Sequence, residues 1–210
     1  MKVSKEKTLE TPQEKFWRSD FGNDYSKRCS GDNLVMNNIG LFCDSLKTIG
    51  KIDSVVELGC NIGLNLRALK KINPDIKLTG YEINEFAAGK ARNLEIADIK
   101  VASIIDRIEE ENKFDLSFIK TVLIHINPEE LSKVYQNLYS LTKRYVLIVE
   151  YYNPTPVTVS YRGNDDRLFK RDFAGEMIDK YNMKLVDYGF VYHRDNMFPL
   201  DDMNWFLLEK

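Results

Sequence analysis

Acidic and glycine residues between positions 57 and 106 have the spacing of a nucleoside-binding site. In VVELGCNIGLN an apolar run ends at Glu57 and leads into Gly59 and Gly63. A glycine turn of this kind lets a ligand approach the backbone and directs helix N–H groups toward it. Glu82 stands nineteen residues after Gly63, where a carboxylate can accept both hydroxyls of a ribose. Asp106 follows at the position that can meet an adenine amino group, so the pattern predicts a nucleoside cofactor.

The chemistry of the turn favours S-adenosylmethionine over a dinucleotide. A dinucleotide site needs the spacing G-x-G-x-x-G, so that backbone amides can meet a pyrophosphate. The turn here is GCNIG, with Asn65 where a third glycine would stand, and it has no basic residue for a pyrophosphate. Its acidic rim at Glu57 instead suits the sulfonium and ammonium groups of S-adenosylmethionine. The glycines alone would also fit an ordinary strand–turn–helix.

The elements that must position these residues alternate between strands and helices. The segments SVVELG, KLTGYE, VASIID, FDLSFIKTVLI and YVLIVEYY are predicted strands. A helical pattern follows the first, the second and the fourth of them. One helix is expected from Asp32, as its N-cap, to Gly50, and another from Asn127 with Pro128 at its first position. The last two strand-like runs, KLVDYGFVYHR and MNWFLLEK, are too close together for a helical crossover and should be antiparallel. An α/β fold with a mainly parallel sheet follows.

Two segments outside this alternation are expected to border the site. Residues 1–31, with the aromatic cluster FWRSDFGNDYSKR, are predicted to form an N-terminal arm packed on a domain of residues 32–210. Residues 152–171 form a long polar loop that carries several basic side chains, and we call this segment the lid. Its length without regular structure favours a functional role over an ordinary solvated loop.

Composition excludes several classes of protein. The chain has 210 residues, 43% of them hydrophobic, and a formal net charge of -2. This balance argues against nucleic acid as the main partner, and no apolar run approaches the roughly 20 residues of a membrane span. Three cysteines without CxxC spacing predict neither disulfides nor zinc and suggest a cytoplasmic location. The pairs Asp165–Asp166 and Asp201–Asp202 lack further ligands nearby, so no metal is expected.

Longer stretches of the chain resemble a known family. ELGCNIGLN, YEIN and FDLSFIKTVLIHINPEEL resemble class I S-adenosylmethionine-dependent methyltransferases. Over most of its length the chain resembles the pseudaminic acid biosynthesis-associated methylases, most specifically in FWRSDFGNDYSKR, SYRGNDDRLFKRDFAGEMIDKY and VDYGFVYHRDNMFPLDDMNWFLLEK. The resemblance implies a Rossmann-like seven-stranded sheet of order 3-2-1-4-5-7-6, with the last strand antiparallel and helices on both faces. It also implies a role near nonulosonic-acid glycans of bacterial surfaces or flagella. Asn61 and Ile62 replace a Gly-Thr pair that is common in generic methyltransferases.

The resemblance further implies which positions meet the cofactor. The expected contacts are Glu57, Gly59, Cys60, Asn61 and Gly63 at the methionine end, Glu82 and Ile83 at the ribose, Ile105 and Asp106 at the adenine, and Lys120 and Thr121 beneath the sulfonium.

The acceptor side carries the candidate catalytic residues. His125, just after the fourth strand, is the candidate general base, with an orienting histidine or a half-buried histidine bonded to the backbone as the alternative. Glu150 and Tyr152, at the end of the fifth strand, are further candidates, although only one of Tyr151 and Tyr152 should meet the substrate. Arginines in the lid would grip the carboxylate of an anionic sugar. The expected substrate contacts are Tyr25, Tyr161, Arg162, Arg167 and His193.

The function expected from this sequence is O-methylation of a pseudaminic-type sugar acid or its nucleotide-activated form. Two alternatives stay open: methylation of another small polar metabolite, and a cofactor-binding scaffold of a glycan pathway without catalysis. The sequence carries no signal for the oligomeric state.

Overall fold

The computed structural model describes residues 10–29, 31–164 and 167–210. The beginning of the arm and the Asp165–Asp166 pair lie outside the described residues. A seven-stranded sheet of order β3-β2-β1-β4-β5-β9-β8 forms the centre of the molecule, and β6 and β7 form a separate hairpin in the lid. The strands are β1 Ser54–Leu58, β2 Lys77–Glu82, β3 Asp98–Val101, β4 Phe114–Lys120, β5 Thr142–Glu150, β6 Val157–Thr158, β7 Phe169–Lys170, β8 Lys184–Val191 and β9 Met203–Glu209. Without the lid hairpin, this order is the expected 3-2-1-4-5-7-6.

The pairing of the strands confirms the predicted mixed sheet. Strands β3, β2, β1, β4 and β5 run parallel to one another, whereas β9 lies between β5 and β8 and is antiparallel to both. The connection from β8 to β9 holds no helix, which leaves an antiparallel return as the available geometry. Every residue of β1 after Ser54 is buried, as expected for a parallel strand covered on both faces.

Helices cover both faces of the sheet, as predicted. The helices are α1 Pro12–Arg18, α2 Asp20–Arg28, α3 Asp32–Leu46, α4 Leu64–Ile72, α5 Glu85–Arg92, α6 Leu131–Leu141 and α7 Phe173–Tyr181. Val55 of β1 belongs to the apolar cluster of α3, α4 and α5, whereas the next residue, Val56, belongs to the cluster of α6 and α7. This alternation follows from the two-residue period of a strand. Within the described ranges, no helix is both long enough and apolar enough to cross a membrane.

Two predicted boundaries were wrong because a polar side chain makes a local turn. Helix α6 begins at Leu131 because the Asn127 side chain accepts from the Glu129 N–H and forms a turn before the helix. Strand β3 ends at Val101, and Ser103 Oγ then accepts from the Ile105 N–H in a turn outside the sheet.

The helix predicted from Asp32 to Gly50 also has different ends. Gly31 is its N-cap, and the helix ends at Leu46. The Asp32 carboxylate pairs with Arg67 of α4 at 2.8 Å instead of capping its own helix.

Candidate active site

A cavity of about 250 Å³ lies at the carboxyl ends of β1, β2 and β4, beneath the arm. The strand order reverses between β1 and β4, which is where ligands bind in open α/β sheets. The lining comes mainly from the glycine turn after β1, the ends of β2 and β4 with the segments that follow them, the turn after β3, and helices α1, α2 and α3. The lining residues expected from the sequence are Tyr25, Gly59, Cys60, Asn61, Glu82, Ile83, Ile105, Lys120, Thr121 and His125.

The glycine turn has a backbone that requires its glycines. Gly59 has a φ of 83°, and a Cβ there would lie 2.6 Å from Cγ2 of Val122. Gly63 has a φ of 80° and is the N-cap of α4. It packs against Ala91 and Leu94 and does not line the cavity, so it shapes the turn from behind.

Glu82 lines the cavity and is fixed by two backbone donors. Its Oε2 accepts from the Asn61 N–H at 2.7 Å, and its Oε1 accepts from the Asn84 N–H at 2.8 Å. Burial raises its pKa, and the backbone hydrogen bonds oppose that effect. Each oxygen retains a further lone pair, so a rigid carboxylate is available to two hydroxyl groups.

Glu57 lies behind the cavity and does not line it. It is completely buried, and burial raises its pKa to about 8 although Asn65 Nδ2 donates to its Oε1 at 2.6 Å. Asn65 does line the cavity, as does Asn38 of α3, and the Oδ1 atoms of both are buried without a partner among the described residues. An ammonium group donates three hydrogen bonds and accepts none, so two unpaired oxygen acceptors beside a buried carboxyl group can bind it. The methionine end of S-adenosylmethionine therefore fits this corner.

Asp106 is not positioned as the sequence suggested. Because β3 ends at Val101, Asp106 lies in the following turn, is exposed, and does not line the cavity. Its main-chain carbonyl accepts from Asn137 Nδ2 at 2.8 Å. Ser103, Ile104 and Ile105 line this end of the cavity instead. This end of the cavity is therefore formed by a largely apolar turn without the Asp106 carboxylate.

The arm forms the roof of the cavity, and sequence reasoning missed most of its residues. The carbonyl of Trp17 accepts from Asn84 Nδ2 at 3.0 Å, and Ser26 Oγ donates to Asn61 Oδ1 at 2.7 Å. Glu14 accepts from Ser103 Oγ and completes a capping box with Thr11. The motif TPQE is typical of a capping box, but no local sequence pattern indicates that Glu14 also lines the cavity.

The end of β4 turns sharply into the cavity. Thr121 has a φ of 55°, a strained value for a β-branched residue, and its N–H donates to the Val149 carbonyl at 3.0 Å. Glu150 holds the next part of this turn, because its Oε1 accepts from the N–H groups of Val122 and Leu123 at 2.8 and 2.7 Å. Burial raises its pKa to about 8. Glu150 does not line the cavity, so the geometry gives it a positioning role.

His125 lines the cavity but is held by neighbours on both sides. Its Nδ1 donates to the Arg167 carbonyl of the lid at 2.7 Å, which leaves Nε2 as the acceptor. Its ring packs against Trp17 of the arm, with centroids 4.7 Å apart, and against Tyr161 of the lid, 5.2 Å apart. Burial lowers its pKa to about 4, which makes the ring a weak base. This geometry favours the alternative, a buried histidine bonded to the backbone, and it places the ring between the arm and the lid.

The lid residues expected to bind substrate lie beyond the cavity lining. Tyr161 packs on His125, the Arg167 guanidinium lies over the Phe16 ring at 5.5 Å, and Arg162 is exposed. His193 is also exposed and pairs with Asp202 at 2.8 Å.

Tyr151, and not Tyr152, contacts the polar groups near the site. Tyr152 is 40% exposed and packs near Phe206. The Tyr151 hydroxyl donates to Asp201 Oδ2 at 2.8 Å, and Lys170 Nζ of the lid lies 5.2 Å from the Tyr151 ring. The assignment of Tyr152 as catalytic therefore does not agree with its position. In the described part of the chain, no cluster of three His, Cys, Asp or Glu side chains could hold a metal ion.

Comparison with known proteins gives the class of the enzyme. Residues 56–145 match the family described as "Methyltransferase domain". No curated protein gives a significant match. Solved structures that share the fold include three methyltransferases. The N1-methyltransferase of 1,6-didemethyltoxoflavin from Burkholderia thailandensis, crystallised with S-adenosylhomocysteine, has a TM-score of 0.69 at 15% identity and covers 96% of this chain and 91% of its own.

The magnesium protoporphyrin IX methyltransferase of Synechocystis, crystallised with S-adenosylmethionine, has a TM-score of 0.66 at 11% identity over 97% of this chain and 99% of its own. A plantazolicin methyltransferase in complex with S-adenosylhomocysteine has a TM-score of 0.64 at 15% identity over 94% of each chain. The sequence match and the shared fold together identify a class I methyltransferase domain in this chain, with S-adenosylmethionine as its cofactor.

Proposed function

We propose that this enzyme methylates a hydroxyl group of a small anionic acceptor, a sugar acid of the nonulosonic type. The observation that carries this proposal is a set of cations around the acceptor side without ion-pair partners among the described residues. These cations are Lys120 in the cavity and Arg162 and Lys170 in the lid. A carboxylate on the acceptor would supply the missing negative charge. The nonulosonic type comes from the sequence resemblance.

The cofactor would be held by residues already described. Glu82 would accept the ribose hydroxyls, Asn38 and Asn65 would accept from the ammonium group, and the turn at Ile105 would pack on the adenine. When bound, S-adenosylmethionine supplies a methyl group on a positively charged sulfur, which is already activated for displacement. The protein must therefore orient the acceptor and exclude water, and orientation can contribute on the order of 7–11 kcal/mol.

The arm and the lid would perform these two tasks together. We propose that residues 1–31 close the cofactor cavity on a domain of residues 32–210, and that residues 152–171 cover the acceptor. His125 would hold the two covers together, since it contacts Trp17 on one side and Tyr161 on the other. The cytoplasm stays the predicted location, because Cys29, Cys43 and Cys60 are free thiols.

A flat aromatic metabolite is a second candidate acceptor. Trp17, Tyr25 and Tyr161 place aromatic rings between the arm and the lid, and such rings stack on planar ligands.

The test uses the full chain, methyl-labelled S-adenosylmethionine and a panel of acceptors. The panel contains nonulosonic acids, their nucleotide-activated forms, matched analogues whose carboxylate is reduced to an alcohol, and planar heteroaromatic compounds. We expect mass spectrometry to find a methyl ether on the acids, with kcat/KM at least tenfold lower for the reduced analogues. Equal rates for acids and reduced analogues, or transfer to planar compounds alone, would contradict the proposal.

A further inference from the structure

One face of the sheet, at its β8 end, is bare and rich in aromatic side chains. A Cβ on Gly189 of β8 would lie 2.5 Å from the ring of Trp205, which packs in the apolar cluster of α3. Because successive strand residues point to opposite faces, Tyr188 and Phe190 point away from α3. We call this side the outer aromatic face, and its side chains are Tyr152, Leu185, Tyr188, Phe190, Tyr192 and Phe206.

The side chains of the outer aromatic face form one continuous patch. The ring centroid of Phe206 lies 6.4 Å from that of Tyr188 and 6.0 Å from that of Tyr152. The rings of Phe190 and Tyr192 are 6.0 Å apart, and Tyr188 and Phe190 are neighbours on one face of β8. The patch therefore extends from the end of β5 across β9 to β8, and none of its six side chains is acidic or basic.

Exposure rises outward along a row of three paired residues. Ile148 of β5 is 1% exposed and packs in the cluster of α7, Phe206 of β9 is half-buried, and Tyr188 of β8 is 65% exposed. Phe190 is 56% exposed, and neither it nor Tyr188 joins an apolar cluster of the described residues. The solvated face of an antiparallel strand normally carries polar residues. Aromatic side chains at these positions therefore indicate a surface that a partner covers.

The free edge of β8 is protected against the addition of another strand. Its pairing with β9 is irregular between Leu185 and Asp187, and Asp187 Oδ1 accepts from the Tyr188 N–H at 2.9 Å. Irregular pairing and charged side chains are the features by which proteins blunt an exposed edge. A partner should therefore bind the outer aromatic face itself rather than extend the sheet.

The area of the outer aromatic face is close to the apolar core of a dimer interface. Tyr152, Leu185 and Tyr192 are each between 40% and 43% exposed. Together with Tyr188 and Phe190 they expose roughly 500 Å² of side chain. A stable interface buries about 800 Å² on each partner, and its core is about 65% apolar. A patch of this size on a single chain marks an interaction site.

We propose that the outer aromatic face binds the same face of a second copy of this chain, which makes the enzyme a two-fold symmetric dimer. In such a dimer each patch meets its own copy. An uncharged aromatic patch is complementary to itself, because rings meet rings and no charge is buried without a partner. A strongly acidic or basic partner would gain no ion pair from these six side chains.

The dimer would also border the acceptor side of the enzyme. Tyr152 is the first residue of the lid, and its backbone forms a bridge with Arg171 at the other end of the lid. The second copy would therefore cover the base of each lid. The inference itself does not depend on which acceptor is methylated.

Sedimentation velocity of the full chain from about 1 to 100 µM tests the dimer. We expect the wild type to sediment as a species of twice the 24.5 kDa chain mass. Tyr188→Lys and Phe190→Lys each place a charge on both sides of a two-fold interface, so each should raise the dimer Kd about a hundredfold or more. Met36→Lys, at a half-exposed position of α3, is the matched control and should leave the dimer intact.

Circular dichroism and S-adenosylhomocysteine affinity verify that each variant is folded. Should a lysine variant lose its fold, the double variant Tyr188→Ser/Phe190→Ser gives the same comparison without adding a charge. A wild type that stays monomeric at the highest concentration would overturn the proposal, and so would a dimer that these variants retain. A monomeric enzyme that methylates sugar acids would remove the dimer and leave the proposed function standing.

Discussion

Replacement of His125 by glutamine distinguishes a proton acceptor from a residue that holds the arm to the lid. The ring is buried, and its pKa falls from 6.5 to about 4. That difference corresponds to about 3 kcal/mol in favour of the neutral ring in the folded state. The same burial that makes His125 a poor base therefore makes protein stability depend on its titration.

The sign of this dependence follows from the two pKa values. The unfolded chain protonates His125 as the pH falls through 6.5, whereas the folded chain keeps the ring neutral until about pH 4. The stability contribution is intact above pH 6.5 and is lost between 6.5 and 4. Glu57 and Glu150 have raised pKa values, so their contributions change in the opposite direction, as the pH rises from about 4.5 to 8. The difference between wild type and His125→Gln cancels those carboxyl groups.

Denaturant unfolding of both proteins at several pH values gives that difference. The advantage of the wild type over His125→Gln should grow by about 3 kcal/mol from pH 4 to pH 7. The kcat of the variant should fall by less than about tenfold, and its pH–rate profile should keep the wild-type shape. A constant stability difference across this range would refute the burial argument. A loss of 10²–10⁴-fold in kcat, with loss of a limb near pH 6.5, would make His125 the base.

Three further substitutions test separate parts of the site. Gly22→Ala should weaken cofactor binding at least tenfold by calorimetry, because its Cβ would lie 1.9 Å from the Trp17 carbonyl oxygen and displace the roof; Gly89→Ala, with open space around it, is the control and should bind normally. Between pH 4.5 and 8, Glu150→Gln should lose less stability than the wild type in denaturant unfolding, because the variant has no carboxyl group to ionise there; an unchanged dependence of the unfolding free energy on pH would contradict the raised pKa. Tyr151→Phe should raise the acceptor KM more than Tyr152→Phe does in steady-state assays, because Tyr151 and not Tyr152 contacts Asp201; the reverse order would restore Tyr152 to the site.

The sheet and the cofactor side of the site were predictable because they follow from short-range patterns. Apolar strands separated by helices predict a parallel sheet, and parallel strands bring their carboxyl ends to one edge. This is why spacing alone brought Gly59 and Glu82 to one cavity. The assignment of Asp106 did not follow, because the Ser103 side chain turns the chain away after Val101. Periodicity does not reveal such a turn.

The roof and the acceptor side depend on contacts between residues far apart in the chain. Trp17 meets Asn84, and Ser26 meets Asn61, through hydrogen bonds that no local pattern announces. Tyr151 and Tyr152 follow the end of β5, and the choice between them depends on the face of the sheet toward which each side chain points. A shift of one residue reverses that choice. His125 looked like a base by residue type, and only its burial between arm and lid gives it another role.

Calorimetric titration of S-adenosylmethionine tests the central claim, a cofactor site built on Glu82 at the end of β2. The proteins to compare are the wild type, Glu82→Gln and Asp106→Asn, each checked for folding by circular dichroism. Loss of charge-assisted hydrogen bonds to the ribose should weaken binding to Glu82→Gln by about 1.5–3 kcal/mol, roughly 10- to 150-fold. Asp106→Asn should bind like the wild type, because Asp106 does not line the cavity. Unchanged affinity in Glu82→Gln, or an equal loss in Asp106→Asn, would contradict the site described here.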